Sequence, residues 1–337
     1  MNSFGRLFRI SVLGESHGCC VGVVVDGCPA GLRLKESDFA RDLARRRPGP
    51  KGTTARRESD APILHSGVHA GRTTGAPILI LFENGDVDSL QYEAFRHRPR
   101  PGHGDLVLRR KHGGFADLRG GGTASGRLTV GLVAAGVIAR RLLPEVRFSS
   151  SVLEAGGSTD VAAAVAEAER VNDSIGGVVE CRVEGLPAGL GEPFFDSVES
   201  TIAHLAFSIP AVKAIEFGAG FAGARMRGSE FADALLDRGG TTRTNHSGGV
   251  NAGLSNGNPL VFRVAVRPPS SSAAELQTID LRTGRQVRVK PSGRHDRCCA
   301  LRFPVILEAV AAIGIADLML LEHKLPRVLP VKRESSR

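Results

Sequence analysis

Three short stretches of the chain set a histidine beside glycine: Gly14-Glu15-Ser16-His17-Gly18, Arg100-Pro101-Gly102-His103-Gly104-Asp105 and Gly293-Arg294-His295-Asp296. Glycine lets backbone approach a ligand closely, and imidazole is the side chain whose proton moves near neutral pH. The second and third stretches each add an arginine, which forks onto phosphate or carboxylate, and an aspartate. Together they point to one site for a phosphorylated, anionic small molecule, assembled from distant parts of the chain.

The elements that must position these groups read as mixed. Short apolar runs at 10–13 and 20–25 predict strands that lead into and out of the first histidine stretch, and 76–82, 176–183 and 260–266 predict further strands. Ser37 is the expected N-cap of a helix running to 47, stopped by Pro48-Gly49. Helices are predicted over 161–171 and 196–207. Two more, over 127–143 and 304–321, are apolar almost all round and should be buried; Glu308 and Asp317 are the only charges in the second. Residues 48–60 are polar, basic and glycine-bearing and read as a mobile loop, and 326–337 as a flexible tail. Strands and helices alternate without βαβ spacing, which argues for a layered α+β fold in one domain spanning 1–337. Gly218-Ala219-Gly220-Phe221-Ala222-Gly223 matches a dinucleotide-binding spacing behind a strand-like 212–217. More loop, not a helix, is expected after it, so it reads as a glycine-rich turn.

Composition bounds the partners. The 337 residues are 42% hydrophobic and 23% charged, with a net charge of +9. A base-stacking platform needs aromatics, and there is no tryptophan and only one tyrosine, so a polyanionic metabolite is favoured over nucleic acid. The six cysteines form no Cys-x-x-Cys pair, which suggests free thiols in a reducing compartment and no metal site. With no apolar leader and no charge-free run of membrane-spanning length, the expectation is a soluble cytoplasmic protein without a membrane partner.

The order of these segments resembles the chorismate synthase family nearly end to end. The matched stretches also include Arg45-Arg46-Arg47-Pro48-Gly49, Arg119-Gly120-Gly121-Gly122, Glu184-Gly185-Leu186-Pro187-Ala188-Gly189-Leu190-Gly191-Glu192-Pro193, and Gly248-Gly249 through Leu254-Ser255-Asn256-Gly257. The resemblance implies a β-α-β sandwich with an inner helical layer, and a homotetramer. It implies a lyase that removes phosphate from 5-enolpyruvylshikimate-3-phosphate by anti 1,4-elimination to give chorismate, with reduced FMN and no net redox change. By resemblance His17 is the acid that meets the departing phosphate, His103 supplies a proton to the flavin, and Asp296 relays the ring proton. Ser16, Arg46, Lys51, Arg100 and Arg127 are implied for substrate or NADPH, the possible reductant. Thr123, Ala124, Ser125, Ala211, Ala252, Arg267, Pro268, Pro269, Ser270, Ser271 and Arg294 are implied for FMN.

The chain departs from the family after Arg119-Gly120-Gly121-Gly122. Thr123-Ala124-Ser125-Gly126-Arg127-Leu128-Thr129 stands where the family usually reads Arg-Ser-Ser-Ala-Arg-Glu-Thr, so an arginine, a hydroxyl and a glutamate are missing. An altered flavin or phosphate grip is the expected result. The alternative is a catalytically silent paralogue that binds a phosphorylated metabolite.

Overall fold

The computed structural model describes residues 2–49, 51–272, 274–291 and 295–329. Its core is two antiparallel sheets with helices between them. The first sheet orders its strands Ser3–Phe4, Arg9–Gly14, Cys20–Asp26, Ile78–Glu83 and Ile63–Leu64. Its alternating β-branched residues set the register: Val21, Val23 and Val25 lie opposite Phe82, Ile80 and Ile78, and all six are fully buried. The second sheet orders Val212–Phe217, Leu260–Val266, Gly177–Glu184 and Arg147–Ala155.

Helix Thr129–Leu142 packs on the Cys20–Asp26 strand, and helix Phe303–Leu321 packs on Arg147–Ala155 and Gly177–Glu184; the two helices also pack on each other. They can approach closely because Gly136 faces Ala309, where an added Cβ would lie 2.4 Å from the Ala309 Cβ. Helices Ala40–Arg46 and Val198–Ser208 flank this pair. The layered α+β expectation is met.

Cys299–Leu321 is long and apolar enough to cross a membrane, with a mean hydropathy of 2.1, but it is mostly buried inside the protein. Its two acids are matched within that interior. Arg45 forks onto Glu308 at 2.6 and 2.7 Å, and Arg140 reaches Glu308 at 3.0 Å. Asp317 accepts the backbone N–H groups of Arg6, Leu7 and Phe8 at 2.7–3.1 Å, which ties the N-terminus to the core helix. A buried charge needs such partners.

Several boundaries differ from expectation. Ser37 does not cap the first helix; a 3-10 turn Glu36–Phe39 precedes Ala40–Arg46, and Asp38 accepts the Lys35 N–H at 2.9 Å. The strand Arg147–Ala155 and the hairpin Leu276–Ile279 with Gln286–Val289 were not expected. The chain at 327–329 does not hang free, because Ala30 bonds to Arg327 and Leu329; residues 330–337 lie outside the described residues. The glycine-rich 218–223 turn does contain a helix, but it is the single turn Gly220–Gly223. Glu216 accepts the Phe221 N–H at 3.2 Å, so a carboxylate occupies the place where a dinucleotide phosphate would sit.

Candidate functional site

The first two histidine stretches meet at the glycine turn between them. Gly14 ends its strand and the chain turns into Ser16, whose N–H bonds to the Gly122 carbonyl at 3.2 Å. Gly120, Gly121 and Gly122 have φ of 57°, 88° and 54°, a left-handed run open to glycine. A Cβ on Gly120 would lie 2.4 Å from the His17 ring and 2.7 Å from Ser16 Oγ, and one on Gly121 would lie 3.5 Å from His103 Nε2. The two histidines therefore flank one turn. Beside it opens a cleft of about 270 Å³.

His17 sits just behind the cleft wall formed by Ser16, Gly120 and Tyr92, with its ring edge-on to Tyr92 at 5.0 Å. Its Nδ1 lies 3.2 Å from Ser16 Oγ. Burial, and then the Arg56 charge, lower its proton affinity below the ordinary value.

His103 and Arg100 stand on the cleft wall, with Asp105 buried behind them. Its Nδ1 lies 2.7 Å from Asp105 Oδ1. Arg100 forks onto the same carboxylate at 2.8 and 2.9 Å, donates to Ser271 Oγ at 2.9 Å and stacks over Phe95 at 4.7 Å. Ser270 Oγ donates to the Gly102 carbonyl at 2.9 Å, so the 267–271 segment is stitched to the second histidine stretch. Burial would push the Asp105 carboxyl up, but the bonds from Arg100 and His103 outweigh it and hold the group well below the usual carboxylate range.

Arg46 and Arg127 share one buried acid, Asp60. Arg46 Nη2 reaches Asp60 Oδ2 at 2.7 Å and Arg127 bonds to Oδ1. Arg127 also reaches Asn84 Oδ1 at 2.9 Å and the Glu83 carbonyl at 3.1 Å. The Nε of Arg46 is buried without a partner among the described residues, and the Arg46 side chain contributes to the cleft lining. A nearby Arg56 donates to Ser16 Oγ and to the Ser16 carbonyl, each at 2.9 Å, and is held by Glu58.

Asp296 also lines the cleft, beside His295. It accepts the Thr54 N–H at 2.8 Å and lies 3.4 Å from Arg302, which in turn holds the Arg46 carbonyl at 2.9 Å. Cys299 is next to it; burial pushes its thiol up to about 12, so it offers no thiolate near neutral pH.

The cleft thus gathers Ser16, Arg46, Arg100, His103, Ala124, Ser125, Arg127, Ala211, Arg267, Pro269, Ser270, Ser271 and Asp296 from the sequence-derived set. Others stand elsewhere. Lys51 pairs with Glu169 at 3.4 Å and is 75% exposed, so it does not share a site with Arg46. Ala252 is at the tip of the Val250–Ser255 hairpin, beside Gly253, which packs on Ser197. Thr123 faces a separate depression with Glu15 and His112. Pro268 is not on the wall. Arg294 lies outside the described residues.

Asp60, Arg56, Glu58, Tyr92 and Arg302 were not singled out from the sequence. The signal for Arg56 and Glu58 was their place in the basic 48–60 loop. Asp60 ends that same loop but carried no signal of its own; its φ of 48° appears only in the fold.

A family model described as chorismate synthase matches residues 8–320. A chorismate synthase from Chitinophaga pinensis is 59% identical over 329 residues, covering 97% of this chain and 99% of the relative. One from Aeropyrum pernix is 44% identical, covering 96% and 94%. A solved structure titled crystal structure of chorismate synthase is similar with a TM-score of 0.73 at 25% identity, covering 95% of this chain and 93% of the other.

Proposed function

This chain belongs to the chorismate synthase family, lyases that make chorismate, and from that premise we propose that it does so by anti 1,4-elimination of phosphate from 5-enolpyruvylshikimate-3-phosphate, with reduced FMN bound in the described cleft. The observation that carries this reading is the placement of His17 and His103 on the two sides of the Gly120-Gly121 turn, beside a cleft ringed by arginines.

The residues present fit a flavin phosphate and a polyanionic substrate. Arg46 lines the cleft, and its Nε is a buried donor with no partner among the described residues, so an anion that reached it would satisfy it. Ala124, Ser125, Ala211, Arg267, Pro269, Ser270 and Ser271 would hold FMN, and Arg46, Arg127 and Ser16 the substrate. When bound and reduced, FMN supplies transient electron density as phosphate leaves. His17, whose proton affinity is lowered by burial and by Arg56, gains affinity when a phosphate dianion arrives, and can then donate to the leaving group. His103 exchanges a proton through Nε2, and the carboxylate of Asp296 accepts one across the cleft.

The reading extends to a homotetramer in the cytoplasm. The exposed Phe194 and Phe195 support an assembled form, and six unpaired thiols support a reducing compartment. The test is anaerobic mixing of the protein with 5-enolpyruvylshikimate-3-phosphate and chemically reduced FMN, following chorismate by absorbance. Turnover that disappears in His17→Ala supports the assignment. FMN binding without turnover supports a silent paralogue.

A further inference from the structure

We propose that Asp105 is a positioning residue that decides which nitrogen of His103 carries the proton, holding the ring as the Nδ1–H tautomer with Nε2 left for the cleft; this rests on the reading of His103 as a working group of the chorismate-forming site.

Two groups compete at His103 Nδ1. Asp105 Oδ1 lies at 2.7 Å and Arg100 Nη2 at 3.1 Å. If Nδ1 were bare, it would accept from Arg100, but its lone pair would face an anionic oxygen at the shorter distance. If Nδ1 carries the proton, it donates to Asp105. Arg100 Nη2 loses nothing in that case, because it already has Asp105 Oδ1 as acceptor at 2.8 Å. The second arrangement satisfies every group and the first leaves two acceptors in contact.

The carboxylate is in no position to turn away. Oδ2 accepts both the backbone N–H of Arg100 at 3.0 Å and its Nε at 2.9 Å. The side chains of Asp105 and Arg100 are 1% and 2% exposed. Asp105 is the first residue of helix Asp105–Lys111, which fixes its Cα, and the Phe95 ring supports the guanidinium at 4.7 Å. Arg100 therefore acts on Asp105, and Asp105 on the imidazole. On the other edge of the ring, Nε2 faces Gly121, whose lack of a side chain leaves that nitrogen approachable. Nε2 is then the one ring atom that accepts a proton from the cleft, or returns one to it.

The test uses full-length protein labelled with ¹⁵N-histidine, sedimented and examined by solid-state NMR, with the His103 signals assigned by their loss in His103→Gln. Neutral His103 is expected to show a protonated Nδ1 and a bare Nε2. In Asp105→Asn the amide can present its own N–H to Nδ1, so the proton should move to Nε2. In the chorismate assay the same variant should lose on the order of 10²-fold in kcat with KM little changed. A wild-type ring protonated at Nε2, or a variant with the tautomer and kcat unaltered, overturns the proposal. Should Asp105→Asn not fold, the wild-type tautomer alone decides. A Nδ1–H ring in a protein without turnover would count against the functional reading and leave the tautomer assignment standing.

Discussion

Asp60 Oδ2 accepts from Arg46 Nη2 at 2.7 Å with both side chains essentially excluded from solvent, and its other oxygen holds Arg127. Burial alone would push this carboxyl up, but the two guanidiniums outweigh it and keep it ionised below its ordinary value of 3.8. Removing the acid leaves two buried cations facing each other. Asp60→Ala is expected to lose about 3–5 kcal/mol of stability, measured by urea unfolding. Because the folded pKa is the lower one, the contribution is complete above 3.8 and is lost as pH falls through the folded value. An Asp60→Ala loss below about 1 kcal/mol would mean that solvent or relaxation replaces the pair.

His17 gives a stability change at milder acidity. Its folded form resists protonation because of burial and Arg56, while the unfolded chain takes up a proton near the ordinary value of 6.5. The unfolded state then binds more protons below 6.5, so the fold loses stability as pH falls, by up to about 1.4 kcal/mol per pH unit for this one group. His17→Asn lacks this term. Its unfolding free energy should fall less between neutral pH and mild acid than that of the wild type; parallel curves for the two proteins would count against it.

How far these relationships were legible depended on their range in the chain. Strand Leu260–Val266 was read from its apolar, valine-rich run, interrupted only by Arg263, and the two core helices from the lack of any polar face. Arg147–Ala155 was missed because its three central serines have low strand preference; it forms because Val179 and Cys181 of the neighbouring strand offer it a partner. In the site, His17, His103 and Asp296 could be read because each sits within a short glycine-bearing stretch. Asp60 could not, since its partners Arg46 and Arg127 come from two other elements and only the fold joins them.

Gly120 tests the turn that separates the histidines. An alanine Cβ there would stand 2.4 Å from His17 Cε1 and Nδ1, at a φ of 57° that side chains disfavour. Either the turn or the His17 ring must move. Gly120→Ala is expected to reduce chorismate formation by roughly 100-fold, the scale of a 1 Å misplacement of a reacting group, with a smaller change in melting temperature. Undiminished kcat in a folded variant would remove His17 from the acid role.

Gly126 is the opposite case. It stands where the family usually has alanine, and an added Cβ would meet nothing within 4 Å. Its φ is not left-handed, so Gly126→Ala should be tolerated and raise stability by about 0.4–1 kcal/mol through the unfolded state. Since Gly126 lines the cleft, a change in FMN affinity with this single methyl, read by flavin fluorescence titration, would show that the departure at 123–128 sets the flavin grip. Unchanged affinity would assign the departure to packing, as at Leu128, which is buried in the core.

Asp296 has two roles that different substitutions separate. Its Oδ1 accepts the Thr54 N–H at 2.8 Å, which clasps the 51–60 segment over the cleft, and its charge faces Arg302. Asn keeps an oxygen at the Oδ1 position but cannot accept a proton as a base; Ala keeps neither. If Asp296 moves a proton, Asp296→Asn should retain slow hydrogen exchange at the Thr54 amide while turnover falls on the order of 10²-fold. Asp296→Ala should lose both. If Asp296→Asn instead keeps full turnover and Asp296→Ala fails only as the Thr54 amide becomes exposed, the aspartate acts by holding the loop, and another group must receive the ring proton.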